Sequence, residues 1–100
     1  MIKHVVVWKL KDHAEGKSKA DNARYLKVEL ESLVSKIPMI RKFEVGINDN
    51  PASDAYDMAL VSEFATKEDL VSYQNHPAHQ RFAAILSRLR ETKIVVDYEF

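Results

Sequence analysis

In the first ten residues, the even-numbered positions share one mostly apolar face with the two-residue period of a β-strand. Residues 2–10 contain three consecutive valines, so the centre of this predicted strand is apolar on both faces. The polar segment from Asp12 to Gly16 interrupts the alternation and marks the end of the strand. One face of the strand consists of Ile2, His4, Val6, Trp8 and Leu10.

A helical period replaces the alternation in the next segment and predicts one long amphipathic helix over residues 17–37. Charged side chains such as Lys27 and Glu31 fall outside its apolar stripe. Pro38 ends the predicted helix, because proline cannot continue the backbone hydrogen-bond pattern. The stripe comprises Ala23, Leu26, Leu30, Leu33, Val34 and Ile37.

The second half of the chain predicts three more strands and a divided helix. Strands are predicted over residues 40–48, 56–64 and 92–99, and helical segments over 67–75 and 78–90. The alternating apolar residues of the three strands are Phe43, Val45 and Ile47, then Tyr56, Met58, Leu60 and Phe64, and finally Ile94, Val96 and Tyr98. The apolar stripe of the last helix comprises Phe82, Ile85, Leu86 and Leu89.

Two local signals mark the ends of the helical segments. Thr66 followed three residues later by Asp69 resembles a capping box and predicts a helix start. Pro77 disfavours a helical backbone at His76 and lacks an N–H group. One helix is therefore expected to end near Asn75, and another to begin at the proline, where a missing N–H costs nothing.

The element order is β-α-β-β-α-β, which predicts an α+β protein with the ferredoxin-like fold. That fold has a four-stranded antiparallel sheet with helices on one side only. Several strands are apolar on both faces at their centres, so the sheet face without helices is expected to need a partner. A second copy of the chain is the simplest partner. Residues 1–100 are expected to form a single domain.

Composition removes several classes of function. Fifteen basic and fifteen acidic residues cancel, which disfavours nucleic-acid binding through phosphate neutralisation. The chain has no cysteine, which excludes disulfides, thiol catalysis and cysteine-ligated metals. No apolar stretch approaches the ~20 residues that span a bilayer, and Lys3 and Lys9 interrupt the N-terminus where a signal peptide would be apolar. We therefore expect a cytoplasmic protein without a membrane partner.

The segment around Pro77 carries the strongest chemical signal. Tyr73 and His79 lie on either side of the predicted corner, so both side chains are placed to face one cavity. Imidazole exchanges protons near neutral pH, and a phenol donates a hydrogen bond to a developing oxyanion. The alternative is that a hydrogen-bonded histidine and a packed tyrosine simply stabilise the corner between two helices.

The other histidines have competing interpretations. His4 is placed either to join Tyr73 and His79 or to sit half-buried with a backbone partner. His76 is expected to hydrogen-bond locally at the corner, and His13 to be solvated in a turn. A metal site formed by His4, His76 and His79 is an alternative, although their spacing matches no zinc signature. We expect neither a metal nor a cofactor.

Five motifs are spread over nearly the whole chain: the opening segment Lys3–Lys11, Ile37-Pro38, Val45-Gly46, the Tyr73-x-x-His76-Pro77-x-His79 corner and the closing Val96-Asp97-Tyr98 strand. In this order they resemble the stress-responsive A/B barrel domain family. The resemblance implies a dimeric α+β barrel. Plant polyketide cyclases of this family use a tyrosine and a histidine that align with Tyr73 and His79, whereas other members with the same corner have no known cyclase activity.

These observations leave two functional hypotheses open. The first is a small stress-associated or structural homodimer, in which the corner histidines serve packing and the barrel cleft is a place for a small apolar or oxo ligand. The second is a cofactor-independent lyase, cyclase or isomerase in which His79 is the base, Tyr73 the oxyanion donor and His4 an auxiliary polar contact. The predicted apolar lining of the cleft is Val6, Trp8, Phe82 and Ile85.

Overall fold

A computed structural model describes residues 1–100 and shows six strands and three helices. The strands are β1 (Ile2–Leu10), β2 (His13–Ala14), β3 (Lys17–Ser18), β4 (Lys42–Ile47), β5 (Met58–Phe64) and β6 (Arg90–Glu99). The helices are α1 (Lys19–Lys36), α2 (Lys67–Asn75) and α3 (Pro77–Leu89). The order of the long elements is the predicted one.

Four of the strands form one antiparallel sheet in the order β4-β5-β1-β6. This arrangement confirms the ferredoxin-like α+β fold. The register places Asp97 of β6 directly opposite His4 of β1, and Lys93 opposite Trp8. Residues directly opposite each other in an antiparallel pair project to the same face, so all four of these side chains point toward the helices.

Burial along β1 follows the predicted alternation. Its even-numbered residues are buried against the helices, and the residues between them are half-buried on the other face. The even face joins a core of 19 buried residues that includes Leu26 and Leu30 of α1 and Phe82 of α3. Removal of this apolar surface from water is the main stabilising contribution to such a domain.

Side-chain caps fix the starts of the first two helices. The Ser18 hydroxyl accepts a hydrogen bond from the Asp21 N–H, and the Thr66 hydroxyl accepts one from the Asp69 N–H at 3.1 Å. Each cap satisfies a backbone donor that has no partner within the helix. The predicted helix start at Thr66 is thereby confirmed.

Residues 12–18 differ from the prediction of a simple break. Two short strands, β2 and β3, pair as a hairpin there, and α1 consequently begins at Lys19 instead of residue 17. The hairpin turns at Glu15 and Gly16, whose φ angles are 52° and 74°. Positive φ at two successive turn residues matches the right-handed twist of hairpin strands. Asn-Gly is the usual sequence signal for such a turn, and Glu-Gly is a weaker one, so the hairpin was not predicted.

Val34 and Ile47 belong to the predicted apolar patterns but lie outside the core. Val34 is 47% exposed, because the stripe that α1 buries runs through Leu30, Leu33 and Ile37 and leaves Val34 about 100° away from Leu33. Ile47 is 40% exposed, because it is the last residue of β4, a strand at the edge of the sheet.

The sheet face without helices is apolar and uncovered in one chain. We call it the open face: Val5, Val7, Ala59, Val61, Ile94, Val96 and Tyr98. The three residues from β6 are 47–53% exposed. A contiguous apolar surface of this kind marks an interaction site in a soluble domain.

Candidate functional site

The corner between α2 and α3 has the geometry that Pro77 predicts. His76 has an extended backbone with φ −65° and ψ 137°, and α3 begins at Pro77. The Nδ1 atom of His76 accepts a hydrogen bond from the Ala78 N–H at 3.1 Å, so this side chain caps α3. His76 therefore has the local structural role that the sequence suggested.

Tyr73 and His79 meet across this corner. Their ring centroids lie 4.6 Å apart with an interplanar angle of 63°. Tyr73 is 1% exposed and also contacts the ring of Phe64, with 4.9 Å between centroids. The corner therefore brings the phenol and one imidazole into edge-to-face contact.

A cavity of about 110 Å³ lies between the sheet and α3, and both side chains line it. Its buried apolar lining consists of Val6, Trp8, Leu30, Leu60, Phe82 and Leu86. The cavity's more exposed lining residues are Gln74, Ala83, Lys93 and Val95, which form its mouth. The polar groups inside are His4, Tyr73 and His79.

Of the four predicted apolar contacts, Ile85 does not line this cavity. It faces a separate depression beside Tyr25 and Arg88. Helical geometry explains the difference, since Ile85 is rotated by about 60° from Phe82 in the direction opposite to His79 and Ala83. Val6, Trp8 and Phe82 do line the cavity.

His4 lies on the cavity wall and is held by Asp97. It is 4% exposed, and its Nδ1 atom lies 2.5 Å from Asp97 Oδ1. Its ring centroid is 6.3 Å from that of Tyr73. The sequence suggested a backbone partner for His4, but its partner is the Asp97 carboxylate. Asp97 contacts Nδ1 and does not contact the other ring nitrogen, Nε2.

Two buried polar atoms on the cavity have no hydrogen-bond partner. They are Trp8 Nε1 and His79 Nδ1. Buried polar groups in folded proteins are nearly always paired, because desolvation without a partner costs about 1–3 kcal/mol. Two such atoms on one cavity indicate a place where a polar guest binds, either water or a ligand.

The environment sets the protonation states of the corner pair. Burial lowers the pKa of His79 below its ordinary value of 6.5, and His4 and Lys93 nearby add to the decrease, while the Gln74 backbone opposes it. Burial raises the pKa of Tyr73 above its ordinary value. At neutral pH the pair therefore consists of a neutral imidazole, able to accept a proton, and a protonated phenol, able to donate a hydrogen bond.

The lowered pKa of His79 predicts a pH-dependent stability. The unfolded chain binds this proton below pH 6.5, whereas the folded chain binds it only at lower pH. Stability is therefore full above pH 6.5 and is lost as pH falls through the folded pKa. Urea unfolding from about pH 7.5 to about pH 5.5 should show a smaller loss in His79→Gln than in the unmodified protein.

The exposed His13 supplies the matched control for this measurement. His13→Gln should retain the full pH dependence of the unmodified protein. If His79→Gln and His13→Gln show equal slopes, the neutral state of His79 is not linked to folding.

Sequence reasoning missed Asp97 and Lys93. The closing-strand motif contains Asp97 without giving it a role, and no pattern in the sequence singles out Lys93. Both reach the site through the antiparallel register of β1 and β6, strands at opposite ends of the chain. An alignment of the β1 and β6 sequences in antiparallel register would have placed Asp97 beside His4.

The structure shows no cluster of three or more His, Asp or Glu side chains arranged to hold a metal ion. His76 is engaged in capping α3, and His4 is engaged by Asp97. None of the three helices is long and apolar enough to cross a membrane.

The fold and the site together define a ferredoxin-like α+β protein with a small cavity between its sheet and a proline-divided helix. The chain belongs to the stress responsive A/B barrel domain family, which matches residues 2–100. It is 36% identical to the uncharacterized protein SCO4036 of Streptomyces coelicolor, and the match covers 100% of both chains.

Solved structures of similar proteins share this fold. A dimeric ferredoxin-like protein of unknown function from Bacteroides fragilis matches with a TM-score of 0.88 and 39% identity, covering 99% of this chain and 95% of that one. A hydroxynitrile lyase from Passiflora edulis matches with a TM-score of 0.79 and 20% identity, covering 97% and 90%. The second likeness shows the fold alone.

Proposed function

We propose that this protein is a homodimer in which each subunit binds a small carbonyl compound in the cavity and exchanges a proton with it, without a cofactor. The observation that carries the proposal is the pair of unpartnered buried atoms, Trp8 Nε1 and His79 Nδ1, on one cavity beside Tyr73. A carbonyl compound would offer a partner to each atom. Its oxygen would accept a hydrogen bond from Trp8 Nε1, and its acidic C–H group would face His79 Nδ1.

The cavity restricts the size of the compound. Its volume of about 110 Å³ is below the ~300–1,000 Å³ of typical small-molecule sites. The buried lining is mostly aliphatic and aromatic, so the body of the ligand should be apolar. A compact ketone or oxo acid fits these limits better than a long polyketide chain.

The proposed chemistry is proton abstraction next to a carbonyl group. His79 Nδ1 takes the proton from the α carbon as the C–H bond breaks. The electron pair moves toward the carbonyl oxygen to form an enolate, and the Tyr73 hydroxyl donates a hydrogen bond to that oxygen. Return of the proton to another carbon gives an isomer. Alternatively, the enolate carbon attacks a second carbonyl group of the same ligand to form a C–C bond, and the resulting alkoxide takes the proton back from His79 to give a cyclised product.

The hydroxynitrile lyase from Passiflora edulis supports this class of activity only through its fold. It indicates that a scaffold of this shape accommodates a lyase. The roles proposed for Tyr73 and His79 are supported by their contact with each other and their place on the cavity.

The second candidate function is a dimer that binds its ligand without changing it. The packing of Tyr73 favours this alternative, because the ring is 1% exposed and contacts Phe43, Phe64 and His79 as a core residue would. In that case His4 would only hold the cavity wall through Asp97.

Proton exchange in D₂O separates the two candidate functions. Pyruvate and acetophenone both carry a methyl group next to a carbonyl, and ¹H NMR follows the loss of its signal as deuterium enters. We expect the protein to accelerate exchange in at least one of these probes. Quenching of Trp8, the only tryptophan in the chain, reports binding in the same samples. Binding without accelerated exchange would favour the second candidate, and absence of both effects would contradict the proposal.

The homodimer is supported by the apolar open face and by the similar proteins of known structure that are described as dimeric. The cavity lies on the other side of the sheet, between sheet and helices. Each subunit of the proposed dimer would therefore keep its cavity when the open faces meet.

A further inference from the structure

We propose that Lys93 makes the cavity selective for ligands that carry a carboxylate, so that the preferred compounds are small oxo acids. This inference rests on the proposed function, since it names the class of compound that the same cavity takes. Lys93 is then a specificity-determining residue at the mouth of the cavity.

Lys93 is the only residue with a permanent charge among those that line the cavity. It is exposed, and it takes part in none of the seven ion pairs of the chain. Asp97, on the same face of β6, is engaged by His4. The ammonium group is therefore free to pair with an anion that enters the mouth.

A second donor lies beside Lys93. Trp8 is directly opposite Lys93 in the sheet, and its indole N–H is buried without an acceptor. An indole nitrogen only donates, and so does an ammonium group. Trp8 and Lys93 are paired in the sheet and both line the cavity, so their two donors suit the two oxygens of a carboxylate.

The remaining polar groups fit the rest of an oxo acid. Tyr73 and His79 line the same cavity from the α2–α3 corner, whereas Trp8 and Lys93 line it from the sheet. A carboxylate held by Lys93 and Trp8 would leave the carbonyl group of the ligand to face Tyr73. The charge of Lys93 also reaches His79, whose pKa it helps to lower.

The test compares two probes of nearly equal shape, cyclohexanecarboxylate and cyclohexanecarboxamide, by titrating the fluorescence of Trp8. We expect the carboxylate to bind roughly 10-fold more tightly at low salt, because a charge-assisted hydrogen bond is about twice as strong as a neutral one. The preference should shrink as potassium chloride is added, since salt screens an exposed charge. Lys93→Met should reduce it to near unity, and Lys93→Arg should keep most of it.

Lys36→Met is the matched control, because it removes one exposed positive charge at the end of α1, outside the cavity lining. It should leave the preference unchanged. Equal binding of both probes to the unmodified protein would overturn the role of Lys93 and leave the proposed function standing. An equal loss of preference in the two methionine variants would overturn it too. If neither probe nor pyruvate binds, the proposed function fails as well.

Discussion

His79→Gln is expected to slow deuterium exchange of the pyruvate methyl group by roughly 10²–10⁴-fold relative to the unmodified protein. Glutamine is similar in size but cannot accept a proton from carbon near neutral pH. The loss should appear in kcat, because the variant retains the apolar lining that binds the ligand. The measurement is the exchange rate at saturating pyruvate, followed by ¹H NMR.

Tyr73→Phe provides the complementary variant. It keeps the ring that packs against Phe64 and removes only the hydroxyl group. Loss of one oxyanion donor typically costs about 10²–10³-fold in rate. Because Tyr73 has a raised pKa, its hydroxyl stays protonated, so the rate in the unmodified protein should rise through the lowered pKa of His79 and then remain level toward pH 10.

His13→Gln is the control for exchange, since His13 is exposed in the β2–β3 hairpin. Its rate should equal that of the unmodified protein. A His79→Gln protein with full exchange activity would remove the base from the proposed mechanism. A Tyr73→Phe protein with full activity would remove the oxyanion donor. Equal melting temperatures for the variants would show that any loss is not due to unfolding.

Val96→Lys is expected to convert the proposed dimer into monomers. Val96 is 53% exposed on the open face of one chain, so a lysine there fits the isolated subunit. Two such lysines and their charges would be buried if open faces met, and burial of an unpaired charge costs several kcal/mol. Light scattering during gel filtration should give twice the 11.5 kDa chain mass for the unmodified protein and the single mass for the variant.

Val28→Lys is the matched control for association. Val28 is 65% exposed on α1, away from the open face, so this substitution should leave the dimer intact. A dimeric Val96→Lys protein would show that another surface mediates association. Dissociation of both variants would point to a general effect of added charge.

Local patterns were sufficient to predict the architecture. The alternation of β1 identified the residues that it buries, and Pro77 identified the boundary between α2 and α3 within one or two residues. Both signals depend only on residues that are close together in the chain. The side-chain period of a strand or helix and the backbone restriction before a proline are the same in every protein, so they can be read from sequence.

The site was only partly predictable, because it depends on contacts between distant segments. The corner placed Tyr73 and His79 together, since only five residues separate them. The positions of Asp97 and Lys93 could be predicted only from the register of β6 against β1. A one-residue shift in that register would have turned both side chains to the other face of the sheet. The prediction for Ile85 was wrong, because apolar residues spaced three and four apart show which side of α3 is buried. They do not show which edge of that side faces a cavity.

The two faces of β1 separate subunit contact from ligand binding in the proposed dimer. Val5 and Val7 belong to the open face, whereas His4, Val6 and Trp8 line the cavity. In that dimer, substitutions at odd-numbered positions of β1 would alter the contact between subunits, and substitutions at even-numbered positions would alter the cavity. The ligand preference would therefore be open to change without loss of association.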